Sequence, residues 1–182
     1  MRCEKCGLLQ LQHTVADELM WNDYWYRSGV NATMRAALKD VVRHALTFNE
    51  VGGTWMDIGA NDGTLLSFVP KEFSRIAIEP ARTFTDILKT CADHIVPTFF
   101  SAKAVGNRKA DVITSCAMFY DLDRPHEFVQ DIADTLTEDG IWINQLTDTV
   151  EMLETTGFDN IVHEHRCYYD VPSLAAMYLA HG

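Results

Sequence analysis

A chain of 182 residues with 47% hydrophobic content has room for one domain with a core of its own and no room for a second full one. Its 26 acidic against 15 basic residues give a formal charge of -11, and no Lys/Arg run offsets it, so nucleic acid is not an expected partner. No apolar run approaches the roughly 20 residues of a membrane span, the first residues lack the apolar stretch of a secretory signal, and the cysteines at 3, 6, 91, 116 and 167 form no disulfide framework. The expectation is a cytoplasmic protein with no membrane partner.

In chain order, an aromatic cluster of Trp21, Tyr24, Trp25 and Tyr26 sets the first thirty residues apart. From Thr33, apolar side chains at Met34, Ala37, Leu38, Val41, Val42, Ala45 and Leu46 recur at helical spacing, and Gly52-Gly53 is expected to stop that helix. Short apolar runs then alternate with helical patterns. The reading is strand Thr54–Ile58, helix Thr64–Phe68, strand Arg75–Ile78, helix Ala81–Cys91, strand Ile95–Phe99 and strand Asp111–Thr114. Pro125 suits the first turn of a further helix carrying Phe128, Ile132 and Leu136 on one face, with Gly140 ending it before strand Ile141–Leu146. A last helix starts at Pro172. This alternation predicts an α/β fold, a mostly parallel sheet with helices on both faces, incomplete at its C-terminus because the chain stops after the fifth strand and one more helix.

In such a sheet, ligands bind beyond the carboxyl ends of the strands, where the first strand turns into its helix. That turn here is Asp57-Ile58-Gly59-Ala60-Asn61-Asp62-Gly63. Gly59 and Gly63 allow close backbone approach, and Asn61 tolerates the left-handed conformation that a middle glycine would otherwise supply. A pyrophosphate would call for G-x-G-x-x-G, whereas Asp57 and Asp62 suit an ammonium group. Glu79, at the end of the second strand and about 20 residues past Gly59, can accept hydrogen bonds from ribose hydroxyls, and Pro80 opens the next helix. The turn therefore has the form found in class I methyltransferases, with S-adenosylmethionine as the expected cofactor and Asp57, Gly59, Ala60, Asn61, Gly63, Glu79 and Pro80 as binding residues. Phe99-Phe100-Ser101 can cover an adenine face, and Ser115-Cys116 can line the same pocket; Phe100 and Ser115 complete the binding set. Gly59 and Gly63 could also serve only a tight strand-to-helix connection.

After the fifth strand comes Phe158-Asp159-Asn160-Ile161-Val162-His163-Glu164-His165, again at the ligand edge. A histidine titrates near neutrality and a neighbouring carboxylate can fix its tautomer, so His165 with Glu164 has the make-up of a general base. His163, His165 and Cys167 alternate but lack a recognised zinc spacing. A plain polar surface loop is the competing reading.

Four stretches resemble the sugar C-methyltransferase family of deoxysugar biosynthesis: Cys3-Glu4-Lys5-Cys6-Gly7-Leu8, Tyr24-Trp25-Tyr26-Arg27-Ser28-Gly29, DIGANDGTLL from Asp57 to Leu66, and FDNIVHEHRCYY from Phe158 to Tyr169. The resemblance implies a zinc-binding N-terminal module, a methyltransferase core, and a C-terminal domain that helps bind a nucleotide-linked keto sugar. On that plan residues 1–30 are the remnant of the zinc module and residues 31–182 are a core truncated at its C-terminus. The family's module has two Cys-x-x-Cys pairs and only Cys3 and Cys6 are present, so zinc is expected only if ligands are supplied upstream. Val162 stands where a tyrosine commonly precedes His-Glu-His, and Asp121 aligns with a histidine after the fourth strand. The resemblance implies catalytic roles for His165, Glu164, a tyrosine of the Tyr24/Tyr26 segment, taken as Tyr26, and Asp121. The expected reaction is C-methylation of the sugar through an enolate, with Tyr26, Tyr120 or a backbone N–H assisting. O- or N-methylation of a small molecule, an inactive cofactor-binding remnant, and a nicotinamide oxidoreductase on the same core are the alternatives.

Overall fold

The computed structural model describes residues 1–5, 7–49 and 52–181. Five parallel strands, β2 (Gly53–Ile58), β3 (Phe73–Ile78), β4 (His94–Val96), β5 (Ala110–Cys116) and β6 (Leu136–Gln145), form one sheet in the order β4-β3-β2-β5-β6. A two-stranded antiparallel sheet pairs β1 (Leu9–Gln10) with β7 (Cys167–Tyr168). The helices are α1 (Asp17–Trp21), α2 (Ala32–Ala45), α3 (Thr64–Phe68), α4 (Thr85–Leu88), α5 (Ala102–Val105), α6 (Pro125–Thr135), α7 (Thr149–Glu154) and α8 (Val171–Leu179). From β2 the chain winds outward through β3 to β4, then returns to the other side of β2 for β5 and β6. The direction of winding reverses between β2 and β5, and a crevice opens at such a switch point.

Alternation along the strands feeds two cores. Trp55 packs edge-on to Phe73 at 5.3 Å, beneath Leu38 and Val42 of α2, Leu65 and Leu66 of α3, and Leu88 of α4. Met56 and Ile58 face the opposite layer, where they join Val105 of α5, Phe128 and Ile132 of α6, and Met177 of α8. Helices therefore cover both faces, as the alternating sequence pattern required. Asn31 caps α2 by accepting N–H bonds from Thr33 and Met34. Asp170 and Ser173 form a reciprocal capping box at the start of α8, with a proline in its first turn.

Several boundaries differ from the sequence reading. The helix beginning near Thr33 ends at Ala45, where the Thr47 hydroxyl donates to the His44 carbonyl, well before Gly52-Gly53. The third strand covers only His94–Val96, because Pro97 has no N–H to offer the ladder. The helix expected over Ala81–Cys91 is a 3-10 turn, Arg82–Phe84, running into the single turn of α4. Helix α6 stops at Thr135 and β6 begins at once, with its register slipping between the pairs Ala110↔Leu136 and Val112↔Ile141. Gly140 lies in that irregularity, where a Cβ would stand 2.8 Å from the Ala110 carbonyl oxygen; it permits the bulge and does not end the helix.

Within the first thirty residues, β1 and the segment around α1 pack against the rest of the chain. Beyond the β1–β7 pairing, the buried Arg166 donates to the Val15 carbonyl and pairs with Asp17 of α1 at 2.6 Å. Among the described residues no helix is long and apolar enough to cross a membrane.

Candidate functional site

A cavity of about 570 Å³ opens at the carboxyl ends of β2, β3 and β5. The turn after β2 forms its floor. Gly59, Asn61 and Gly63 have φ of 71°, 52° and 75°, so the chain takes three left-handed steps in five residues. Glu79 fixes this shape: one carboxyl oxygen accepts the Asn61 N–H at 2.8 Å and the other accepts the Ala81 N–H at 2.8 Å. Burial raises the Glu79 pKa, and those two hydrogen bonds oppose the rise. Asp57, at the end of β2, is wholly buried and accepts the Thr114 hydroxyl at 2.7 Å; desolvation pushes its pKa up to about 7, the Thr114 bond opposing.

The sequence did not show that the aromatic segment is strapped to this turn. The Asn61 Oδ1 accepts the Ser28 N–H at 3.1 Å and its Nδ2 donates to the Tyr26 carbonyl at 2.9 Å. Asp62 accepts the Gly29 N–H at 2.9 Å on one oxygen and the Thr64 hydroxyl at 2.7 Å on the other. The polar side chains of the turn thus hold the strap. Tyr24 and Tyr26 both line the cavity; burial first, then the nearby Glu164 and Asp121 carboxyls, hold the Tyr24 pKa far above normal.

The opposite wall carries His165, Glu164, Tyr120 and Asp121. His165 Nδ1 lies 2.8 Å from the Asn160 carbonyl oxygen, so that nitrogen carries the proton. Burial lowers the imidazole pKa, against opposing contributions from the Asn160 bond and Glu164. The ring is then neutral with an unprotonated Nε2, stacked obliquely on Tyr120 at 4.1 Å between centroids. Asn160 is set by a 3-10 turn, Phe158–Asn160, and neither that turn nor its carbonyl was evident in the sequence. Asp121 is buried, and desolvation followed by the Glu164 charge pushes its pKa up to about 9 despite Arg166.

Of the expected site residues, Asp57, Gly59, Ala60, Asn61, Glu79, Pro80, Phe100, Tyr26, Asp121, Glu164 and His165 all line this cavity. Gly63 and Ser115 do not. Gly63 precedes α3 and faces the Cys91 sulfur, so its role is to shape the turn. Ser115 is fully buried, its hydroxyl donating to Asn144 and accepting from Trp142, and the neighbouring Cys116 reaches the cavity instead. Phe100 stands edge-on to Phe128 at 5.2 Å and offers an apolar wall near Glu79. Of the candidate zinc ligands, Cys6 lies outside the described residues, and Cys3 sits in a turn closed by Gly7 N–H to the Cys3 carbonyl at 2.9 Å. Among the described residues no group of three or more His, Cys, Asp or Glu side chains is placed to hold a metal ion.

A parallel sheet wound in this order, with a glycine-bearing turn after the central strand and an acid ending the next, is the doubly wound arrangement that binds nucleotide-type cofactors at its switch point, and the family match gives its class as an S-adenosylmethionine-dependent methyltransferase. The chain belongs to the methyltransferase-domain family, whose model matches residues 30–182. It is 24% identical over 190 residues to the C-methyltransferase NovU of Streptomyces niveus, a match covering 99% of this chain and 45% of that protein. The chain thus spans less than half the length of this curated relative. The fold is shared with a Haloferax volcanii methyltransferase solved with the Trm112 methyltransferase activator, at 15% identity and TM-score 0.66 over 85% of this chain and 72% of that one. It is shared also with the mycolic acid cyclopropane synthase CmaA1 solved with SAH and CTAB, at 14% identity and TM-score 0.61 over 89% of this chain and 68% of that one.

Proposed function

We propose that this chain binds S-adenosylmethionine between the Asp57–Gly63 turn and Glu79 and C-methylates a nucleotide-linked keto sugar through an enolate formed by His165. The residues present fit this cofactor. Each Glu79 oxygen accepts one backbone N–H and has acceptor capacity left for a ribose hydroxyl. Asp57 adds a carboxyl beside it, and Phe100 an apolar wall. When bound, the cofactor supplies an electrophilic methyl group on a positively charged sulfur.

The observation that carries the acceptor chemistry is His165. Its Nδ1 proton is committed to Asn160, so the nitrogen left over is a base, and it lies in the same cavity as the cofactor turn. His165 takes a proton from the carbon next to the ketone, Glu164 stabilises the imidazolium that results, and the carbon is left nucleophilic. Tyr24 and Tyr26, on the strap, close the acceptor side, so residues 1–30 act together with the core. The similarity to a C-methyltransferase and the His-Glu-His segment support carbon as the acceptor atom.

Replacing His165 by Asn is expected to lower methyl transfer at least 100-fold, within the range general-base removal usually costs. Affinity for S-adenosylhomocysteine should stay within a few-fold in H165N and weaken clearly in D57A or E79A. Radiolabelled methyl transfer to a nucleoside-diphosphate-linked keto sugar, with calorimetric titration of S-adenosylhomocysteine, measures both. A fully active H165N enzyme would sink the base assignment.

A further inference from the structure

Asp121 ends the 3-10 turn Phe119–Asp121 beyond β5, lies only 9% exposed, and lines the cavity beside Glu164 and His165. Among the described residues its Oδ1 has no hydrogen-bond partner, although buried polar oxygens ordinarily find one. The groups around it explain its charge state. Glu164 from the His165 segment and Asp17 from α1 bring negative charge, while the phenols of Tyr24 and Tyr120 are held neutral by burial. Arg166 brings positive charge, but its guanidinium is engaged by Asp17 at 2.6 Å and Asp123 at 3.7 Å. A carboxyl in that company keeps its proton at neutral pH. Protonated, it is a hydrogen-bond donor, which an ionised carboxylate is not.

We propose that Asp121 is a second catalytic group: as a neutral acid it donates a hydrogen bond to the carbonyl oxygen of the keto acceptor and holds the negative charge that gathers there. This rests on the keto-acceptor reading above. As His165 Nε2 takes the proton, the C–H electron pair becomes the new C=C bond and the carbonyl π pair moves onto oxygen. The Asp121 proton stays on Asp121 throughout. Fixed donors aimed at a developing oxyanion contribute about 100- to 1,000-fold in rate, and carboxylic acids kept neutral by their surroundings can serve in this way.

The test follows enolisation alone. A nucleoside-diphosphate-linked keto sugar is incubated in deuterated water with the protein and S-adenosylhomocysteine, and exchange of the proton next to the ketone is followed by nuclear magnetic resonance. D121N keeps a neutral donor and is expected to exchange within about tenfold of wild type. D121L has none and is expected to fall at least 100-fold in kcat, with KM and S-adenosylhomocysteine affinity little changed. The infrared difference between wild type and D121N at neutral pH should show one protonated-carboxyl C=O band present in wild type alone. Exchange surviving in D121L, absence of that band, or a D121N protein that binds S-adenosylhomocysteine normally yet is as slow as D121L would each overturn the proposal alone. Wild-type protein that shows the band but no exchange would overturn the keto-acceptor reading and this proposal with it.

Discussion

Asp57 is an acid that the fold keeps dry. Its carboxyl is fully buried with one hydroxyl partner, and its pKa stands at about 7. An unfolded Asp ionises near 3.9. Between about pH 4 and 7 the unfolded chain therefore gives up a proton that the folded chain retains, so stability falls as pH rises through that window and levels off above it. The cost is on the order of 4 kcal/mol. A positively charged cofactor beside Asp57 favours the ionised form, so its binding should release a proton below neutrality. Affinity for S-adenosylmethionine is expected to rise as pH goes from about 6 to about 8. D57N should abolish that rise, bind more weakly, and melt higher than wild type at pH 8 when no ligand is present. Calorimetry in two buffers of different ionisation enthalpy, with thermal melts, checks all three. A proton count of zero in wild type would contradict the assignment of Asp57 to the cofactor's charged end.

The strap from Tyr26 to Gly29 shows how one element serves two halves of the site. A Cβ on Gly29 would lie 2.5 Å from the Thr64 hydroxyl and 2.8 Å from the Asp62 carboxylate that accepts the Gly29 N–H. G29A is therefore expected to push the strap off the turn, weakening cofactor binding and exposing the Trp21–Tyr26 stretch to protease at unchanged secondary structure. Limited proteolysis with and without S-adenosylhomocysteine reads this, and unchanged protection would refute the coupling. The turn itself was legible in the sequence because its information is local: two glycines, an asparagine and an acid at fixed spacing. The strap was not, because Asn61 and Asp62 reach residues more than thirty positions earlier, and nothing in their own neighbourhood marks them as buried ties. The same distinction separates β2 and β5, predicted from apolar runs, from β1 and β7, two residues each, which pair with each other across about 160 positions of sequence. His165 was visible as a candidate base, but its tautomer depended on a carbonyl five residues away, placed by a 3-10 turn with no sequence signature.

For the whole molecule, with its net charge of -11, the cavity is lined by Asp17, Asp123, Glu127, Asp131 and Glu164 as well as by the buried acids Asp57, Glu79 and Asp121, against Arg124. Such a field draws cations in and is weakened by salt, which shortens the Debye length from about 10 Å at 0.1 M to about 3 Å at 1 M. S-adenosylmethionine carries one more positive charge than S-adenosylhomocysteine, so the ratio of their affinities is expected to shift toward the latter as salt is raised. Titrations of both across that range measure it; a salt-independent ratio would mean that the acids are screened or neutral. The small sheet has a different consequence. Pairing Leu9 with Tyr168 and Gln10 with Cys167 joins the two ends of the chain across nearly its full length. Contacts so distant in sequence must pay their loop-closure entropy before they gain anything, so they form late in folding and open early. The wall that carries His165 is fastened by this seam and by Arg166, whereas the cofactor turn belongs to strands adjacent in the central sheet. The two walls of the cavity thus hang on parts of the fold that differ in how far apart their contacts lie in sequence, and amide hydrogen exchange is expected to find residues 9–10 and 166–168 opening while β2 and β5 stay shut.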